Sequence, residues 1–353
     1  MRVLAIGTDR KLFEEGSLVR GRQESYAKRL GALDIIVFTK GVFFQRSEFG
    51  AVSVMPTNSR FKILYGLDAW RIAQDLPTPD VVTSQDPFET GLVALFIARR
   101  LKVPLHVQVH TDFLSREYVR ASFMHWVRSK IAWFVLRRAT RVRTILQRTA
   151  DELRQGGITV PISVLPIFVD TERFAAIPRS KHPRWKIALL CVGRFEKEKR
   201  FEIAIDSLAA ARSEGHDVGL TIVGEGSLRS TLYSYAQRLQ VADRLELVGW
   251  KNDLATHYSE ADIVLVTSKY EGYGLVIVEA LAAGISVLAT DVGVAREAGA
   301  MVVSAQEFSQ ALVRWIENGP RKAVLAQKPY RDLEEYVKSY GEDIAYTITT
   351  HRN

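Results

Sequence analysis

The chain has 353 residues, 47% of them hydrophobic and 25% charged, with a formal net charge of +8 and a single cysteine. That length suits two domains with a core each. No apolar run reaches the ~18 residues of a membrane-spanning helix, and Cys191 alone excludes internal disulfides and cysteine-based metal clusters. The N-terminus reads as a strand and a glycine turn rather than a signal peptide, so the cytoplasm is the expected compartment. The basic balance points to phosphate-bearing partners or simply to solubility.

Taken in chain order, short β-branched runs alternate with helical stretches. Residues 2–6, 34–38, 80–83, 105–109 and 144–146 read as strands in the first half, and 187–192, 219–223, 244–248, 263–266 and 286–289 in the second. Several are apolar throughout, as parallel strands covered on both faces are. Helical periodicity fills 88–101, 201–214, 228–240 and 275–283. This alternation predicts an α/β fold of two Rossmann-like doubly wound domains facing a central cleft, with a ligand at the C-terminal ends of the strands. Pro166, Pro178 and Pro183 interrupt the rhythm and mark the boundary. The expected domains are 1–167 and 168–329. A Tyr-rich helical segment over 330–353 should cross back onto the first domain through Tyr330, Tyr336 and Tyr340.

Residues 123–143 carry Trp126, Trp133 and Phe134 among Arg128, Lys130, Arg137, Arg138, Arg141 and Arg143, with no acid. Phe123, Trp126, Val127, Ile131, Trp133 and Phe134 share one broad helical face that Lys130 and Arg137 interrupt. Two readings are open. One is an interfacial helix touching an anionic membrane surface through Trp126, Arg128, Lys130, Trp133, Arg137 and Arg138. The other is an ordinary structural helix with a basic edge. The run lacks any groove-reading or RNA-binding motif, so no nucleic-acid partner is expected.

In the second half, Gly193 turns the chain after strand 187–192 and places Arg194 and Lys199 at the strand's C-terminal end. Two cations there can neutralise charge on a departing diphosphate, Arg as a fork and Lys as a point charge. Read alone, the Lys197–Lys199 run and Arg200 are equally a solvated loop. Further on, strand 263–266 leads through Glu271, Gly272, Tyr273 and Gly274 into a helix that starts at Leu275. A strand, a glycine loop and a helix N-terminus make a phosphate site. Glu279 lies about 7.5 Å along the helix axis from its start. One carboxylate can then reach a ribose diol and Glu271 a sugar hydroxyl. Without that context both glutamates would read as solvated helix-surface acids.

These motifs resemble the retaining GT-B glycosyltransferases of family 4. The family's Gly-Arg…Lys pair, Val-Gly-x-Gly strand end and Glu-Gly…Glu-Ala helix appear in order as Gly193-Arg194…Lys199, Val223-Gly224-Glu225-Gly226, and Glu271-Gly272 through Glu279-Ala280. The resemblance covers about 189–301. It implies a diphosphate clamp of Arg194 and Lys199, a ribose ligand in Glu279, and a donor-sugar contact in Glu271. Gly224, Gly272, Tyr273, Gly274 and Leu275 would complete the nucleotide-sugar site. In the looser first half it implies His110 near the reacting sugar and Asp86 and Asp112 on the acceptor side. Gly16 and Ser17 would form a loop facing the phosphates. The chain departs from the family pattern with Gly16-Ser17 where two glycines are usual, Arg200 where glycine follows the lysine, and Val294 where a second glycine is common.

The implied reaction is retaining transfer of a hexose-type sugar from a UDP- or GDP-linked donor, without a metal or other cofactor. The acceptor would be a glycan or lipid-linked acceptor in cell-surface glycan or glycolipid synthesis, reached on the inner face of the cell membrane. A nucleotide-sugar epimerase on the same fold and a non-catalytic nucleotide-sugar-binding protein are the alternatives. A nicotinamide dehydrogenase fits poorly, because Gly224-Glu225-Gly226 lacks the third glycine of a dinucleotide loop.

Overall fold

The computed structural model describes residues 1–319 and 322–352, and the chain divides into two compact units, Met1–Ile167 with the segment from Tyr330 onward, and Phe168–Pro329. Unit 1 runs β1 (Arg2–Gly7), α1 (Leu18–Leu30), β2 (Ala32–Val37), β3 (Ser47–Phe49), β4 (Val52–Pro56), α2 (Tyr65–Gln74), β5 (Val81–Ser84), α3 (Glu89–Leu101) and β6 (Leu105–Val109). It continues with α4 (Arg116–Ala121), α5 (Phe123–Leu136), β7 (Arg141–Thr144), α6 (Gln147–Gln155) and β8 (Ile162–Val164). Its sheet has the order β3-β4-β2-β1-β5-β6-β7-β8, parallel except for β3. The central strands are buried along nearly their whole length, so Asp34, Thr83, Ser84 and His106 are interior polar residues among apolar neighbours.

Unit 2 runs α7 (Thr171–Ala175), β9 (Ile187–Val192), α8 (Phe201–Ser213), β10 (Val218–Val223), α9 (Arg229–Arg238), β11 (Leu245–Val248), α10 (Ala255–Glu260) and β12 (Ile263–Val266). It ends with α11 (Leu275–Ala282), β13 (Ser286–Ala289), α12 (Ala295–Ala298), β14 (Met301–Val302) and α13 (Phe308–Asn318). The sheet order is β11-β10-β9-β12-β13-β14, all parallel. Leu189, Cys191, Leu220, Ile222 and Leu265 from the strands pack with Leu208, Leu312 and Trp315 from α8 and α13. Each such fully buried aliphatic side chain contributes about 1.5–3 kcal/mol.

The C-terminal helix α14 (Leu333–Arg352) packs on α1 and across β5 and β6, within unit 1. Its tyrosines do more than fill space. Arg143 of β7, 1% exposed, donates to the Tyr336 hydroxyl at 2.9 Å and to Gln108 at 2.9 Å. Tyr26 of α1 donates to the same hydroxyl at 3.1 Å. The Asp343 carboxylate accepts from His106 Nε2 at 3.0 Å and from Arg141. Burial alone would raise its pKa, but His106 and Arg141 hold it well below the usual carboxylate range.

Three sequence readings change here. The strand expected at 144–146 is Arg141–Thr144, because Arg141 pairs with Asp343 and Arg143 is an interior cation bonded to the Tyr336 hydroxyl, both on α14, and neither belongs to a surface run. The basic helix expected over 123–143 therefore ends at Leu136, with Arg137 as its C-cap. The strands β3, β4, β8 and β14 are additional to those expected.

Candidate functional site

In unit 2 the chain leaves β9 toward β10 on one side, while β12 lies on the other, so the loops after β9 and β12 diverge at a topological switch point. Ligands of open α/β sheets bind at such points. The glycines expected there are structural requirements. A Cβ on Gly224 would sit 2.0 Å from the Gly193 carbonyl, so the two strand ends approach only because Gly224 lacks a side chain. Gly274 takes a φ of 89° to turn the chain into α11.

The two loops are tied together. Lys199 Nζ lies 2.5 Å from Glu271 Oε1, and Ser268 Oγ donates to the same oxygen at 2.6 Å. Thr267 Oγ1 donates to the Lys199 carbonyl at 2.7 Å, and the Lys269 amide donates to the Glu198 carbonyl at 2.7 Å. Arg200, at a φ of 46° where the family pattern has glycine, donates to the carbonyls of Thr267 at 2.9 Å and Ser268 at 2.8 Å. The side chain thus offsets the strain of a left-handed backbone by bridging both loops. Arg194 stands exposed at the loop's edge and donates to Glu198 at 3.0 Å.

Glu279 sits in α11 with Oε2 accepting from the Tyr258 hydroxyl at 2.7 Å. Burial raises its pKa, while the Tyr258 bond and Arg173 act against that. Tyr258 is itself fully buried on α10, so it fixes the carboxylate from below. Tyr273 is buried, with its hydroxyl pushed up to about 12 by burial, and its carbonyl accepts from Val294 N at 2.8 Å. Gly272 precedes it in the loop and Leu275 is exposed at the first position of α11. Lys199, Glu271 and the α11 N-terminus therefore come together at the strand ends, with Glu279 farther along the helix. Ser268, Arg200 and Tyr258 hold them; the sequence marks Arg200 only as a departure from the family pattern, and Ser268 and Tyr258 belong to no spacing pattern.

In unit 1 the expected residues lie at the C-terminal ends of adjacent strands. Gly16 and Ser17 follow β1, and Ser17 caps α1 by accepting from the Arg20 amide at 3.3 Å while donating to the Lys11 carbonyl at 2.7 Å. Asp86 follows β5, accepts from the Phe88 amide at 2.8 Å, and has its pKa raised by burial. His110 follows β6, and its Nε2 is buried with no hydrogen-bond partner among the described residues. Burial first, then Arg143, Arg22 and His106, push its pKa down to about 3, so the ring is neutral. Asp112 turns away to the start of α4, accepting from Ser115 N at 3.3 Å, with Arg148 at 4.0 Å. Its pKa is raised by burial.

Residues 173–337 match the family model described as Glycosyl transferases group 1, and residues 27–173 match Glycosyltransferase Family 4. The chain is 26% identical over 227 residues to the Alpha-monoglucosyldiacylglycerol synthase of Streptococcus pneumoniae, covering 60% of this chain and 51% of that protein. It is 30% identical over 222 residues to the Glycogen synthase of Mycobacterium tuberculosis, covering 61% and 53%. The chain thus spans about half the length of these curated relatives. Among solved structures, Anabaena HepE in complex with UDP and glucose superposes with a TM-score of 0.71 over 99% of both chains, at 19% identity. The lipopolysaccharide outer core galactosyltransferase WaaB superposes with a TM-score of 0.70, again over 99% of both, at 18% identity. At these identities the structures share a fold with this chain.

Proposed function

We propose that this chain, which belongs to the group 1 glycosyl transferases of family 4, moves a hexose from a nucleoside diphosphate to an acceptor hydroxyl with retention at the anomeric carbon. The observation that carries the reading is the meeting of Lys199 with Glu271 at the switch point of unit 2, beside the N-terminus of α11. Lys199 and Arg194 take the diphosphate, where they stabilise the charge that grows as the bond from C1 to the β-phosphate oxygen breaks. Glu271 accepts from a sugar hydroxyl and Glu279 from the ribose diol. Gly224 and the segment Gly272, Tyr273, Gly274 and Leu275 bring backbone amides to the donor.

The acceptor oxygen bonds to C1 on the face the phosphate leaves, and its proton passes to the leaving phosphate oxygen. No covalent carboxylate and no metal ion are required for that step, because fixed cations serve the leaving group. His110 and Asp86 of unit 1 are assigned to the reacting sugar and the acceptor, as are Gly16 and Ser17 to the phosphates. Asp112 fits a structural role better, as a partner of Ser115. A UDP-linked hexose is favoured because Anabaena HepE was solved with UDP and glucose. A lipid-linked or glycolipid acceptor is favoured because the pneumococcal relative is named for a glycolipid. With it we propose a cytoplasmic location on the inner face of the membrane and a role in cell-surface glycan synthesis.

The test is a donor screen with UDP- and GDP-linked hexoses, following nucleotide release and the product's anomeric configuration by NMR. The double variant Arg194→Ala, Lys199→Ala should lose transfer by at least the ~10²–10³ that one oxyanion donor supplies. Wild-type turnover in that variant, or an inverted product, defeats the reading.

A further inference from the structure

Within unit 1, α2 packs on α3 and α3 on α5, and the outer side of this layer is apolar and basic at once. Phe123 is 76% exposed, Trp126 46%, Phe134 43% and Phe96 41%. Three of these rings carry a cation one helical turn on. Arg100 lies 5.0 Å from the Phe96 ring centre, Lys130 5.7 Å from that of Trp126, and Arg138 3.8 Å from that of Phe134. Side chains four residues apart share a helical face, so each pair forms an apolar body with a charged tip. The same arrangement thus recurs on α3 and α5.

The carboxylates of the three helices, Asp68 and Glu89, are both engaged. Asp68 accepts from Ser59 at 2.6 Å and Arg71 at 3.4 Å, and Glu89 from Arg128 at 2.8 Å. Arg100, Lys130, Arg137 and Arg138 pair with no carboxylate among the described residues. Trp133 belongs to the interior side instead. It packs edge-on against Phe113 and fills the space a side chain on Gly156 would need. A partner for this face must accept both apolar insertion and unpaired positive charge, and an anionic headgroup layer over acyl chains does so.

We propose that the α3–α5 face, and not α5 alone, seats the protein on an anionic lipid bilayer. Phe96, Trp126 and Phe134 enter the acyl boundary, and Arg100, Lys130 and Arg138 extend to the lipid phosphates. The proposal rests on the membrane-side location given above. Its test needs no transfer activity, so failure of the face and failure of the enzyme reading are separable.

Co-sedimentation with phosphatidylcholine vesicles containing increasing phosphatidylglycerol decides it. The wild type should pellet in proportion to anionic lipid and be released by salt. Each basic residue near such a surface is worth about fivefold in binding. The α3 variant Phe96→Ser, Arg100→Gln should therefore bind about tenfold more weakly. The α5 variant Trp126→Ser, Lys130→Gln, Phe134→Ser, Arg138→Gln should lose on the order of 10²-fold. Both should keep wild-type nucleotide binding, which is assigned to unit 2. Release by the α5 variant with wild-type binding by the α3 variant would refute the extended face. Failure of the wild type to pellet at low salt overturns the proposal, as does self-association through these residues without vesicle binding.

Discussion

Replacing Tyr258 by Phe removes one oxygen, and its consequences follow from the position of that oxygen. The hydroxyl donates at 2.7 Å to Glu279, a largely buried carboxylate whose pKa burial already raises. A hydrogen bond to a charged group is worth about 1.5–3 kcal/mol, and a buried acceptor left without its donor costs about the same. The variant should lose about 1–3 kcal/mol of stability and bind a nucleoside diphosphate about 10- to 100-fold more weakly at neutral pH. The pH profile separates orientation from simple packing. The Tyr258 bond lowers the Glu279 pKa, so its loss raises that pKa further. Because the ionised form accepts the ribose hydroxyls, the acid limb of nucleotide affinity should move to higher pH in the variant. The carboxyl's contribution to stability is greatest below its unfolded value and falls as pH rises through the raised folded value. Isothermal titration calorimetry with UDP over about pH 5 to pH 8 reads the affinity and its acid limb, and thermal unfolding over the same range reads the stability. Unchanged affinity together with an unmoved acid limb would show that Glu279 does not hold the nucleotide.

Arg200→Gly restores the residue usual after the lysine and relieves the left-handed backbone, but it removes two bonds to the Thr267 and Ser268 carbonyls. A net loss of about 1–3 kcal/mol in thermal unfolding is expected, with slower transfer, and a more stable variant would contradict the bridge. Asp343→Asn breaks a buried pair with His106 and Arg141 and should cost about 3–5 kcal/mol in urea unfolding. Since the Asp343 pKa is depressed, its contribution is present above the unfolded value and lost as pH falls; a cost under about 1 kcal/mol would refute the latch. His110, with a pKa near 3, should show no NMR titration between about pH 5 and pH 8, and a midpoint near the ordinary histidine value would refute its burial.

The interior strands and the donor loops were legible because their determinants are local. Residues 187–192, 263–266 and 286–289 are largely apolar runs bounded by turns, 105–109 alternates as Leu-His-Val-Gln-Val, and the structure gives all four those same limits. The edge strand β3 and its neighbour β4 escaped notice because Ser47, Glu48 and Ser53 dilute the pattern and Pro56 ends it. Arg141 and Arg143 read as surface cations, since their interior partners lie far along the chain: Asp343 is 202 residues beyond Arg141 and Tyr336 is 193 beyond Arg143. At the donor site, the sequence placed Lys199 and Glu271 in the loops after two separate strands but did not show that they touch. The supporting bonds from Tyr258, Ser268 and Arg200 depend on side-chain reach across loops, which no periodicity encodes.

The central claim is that the switch point of unit 2 holds a nucleoside diphosphate. Isothermal titration calorimetry of UDP and GDP against the wild type and the double variant Lys199→Ala, Glu279→Ala tests it without any acceptor. Saturable one-to-one binding of one of them to the wild type is expected, with affinity reduced on the order of 10²-fold or more in the variant. Equal affinity in both proteins, or no binding to the wild type, would contradict the account.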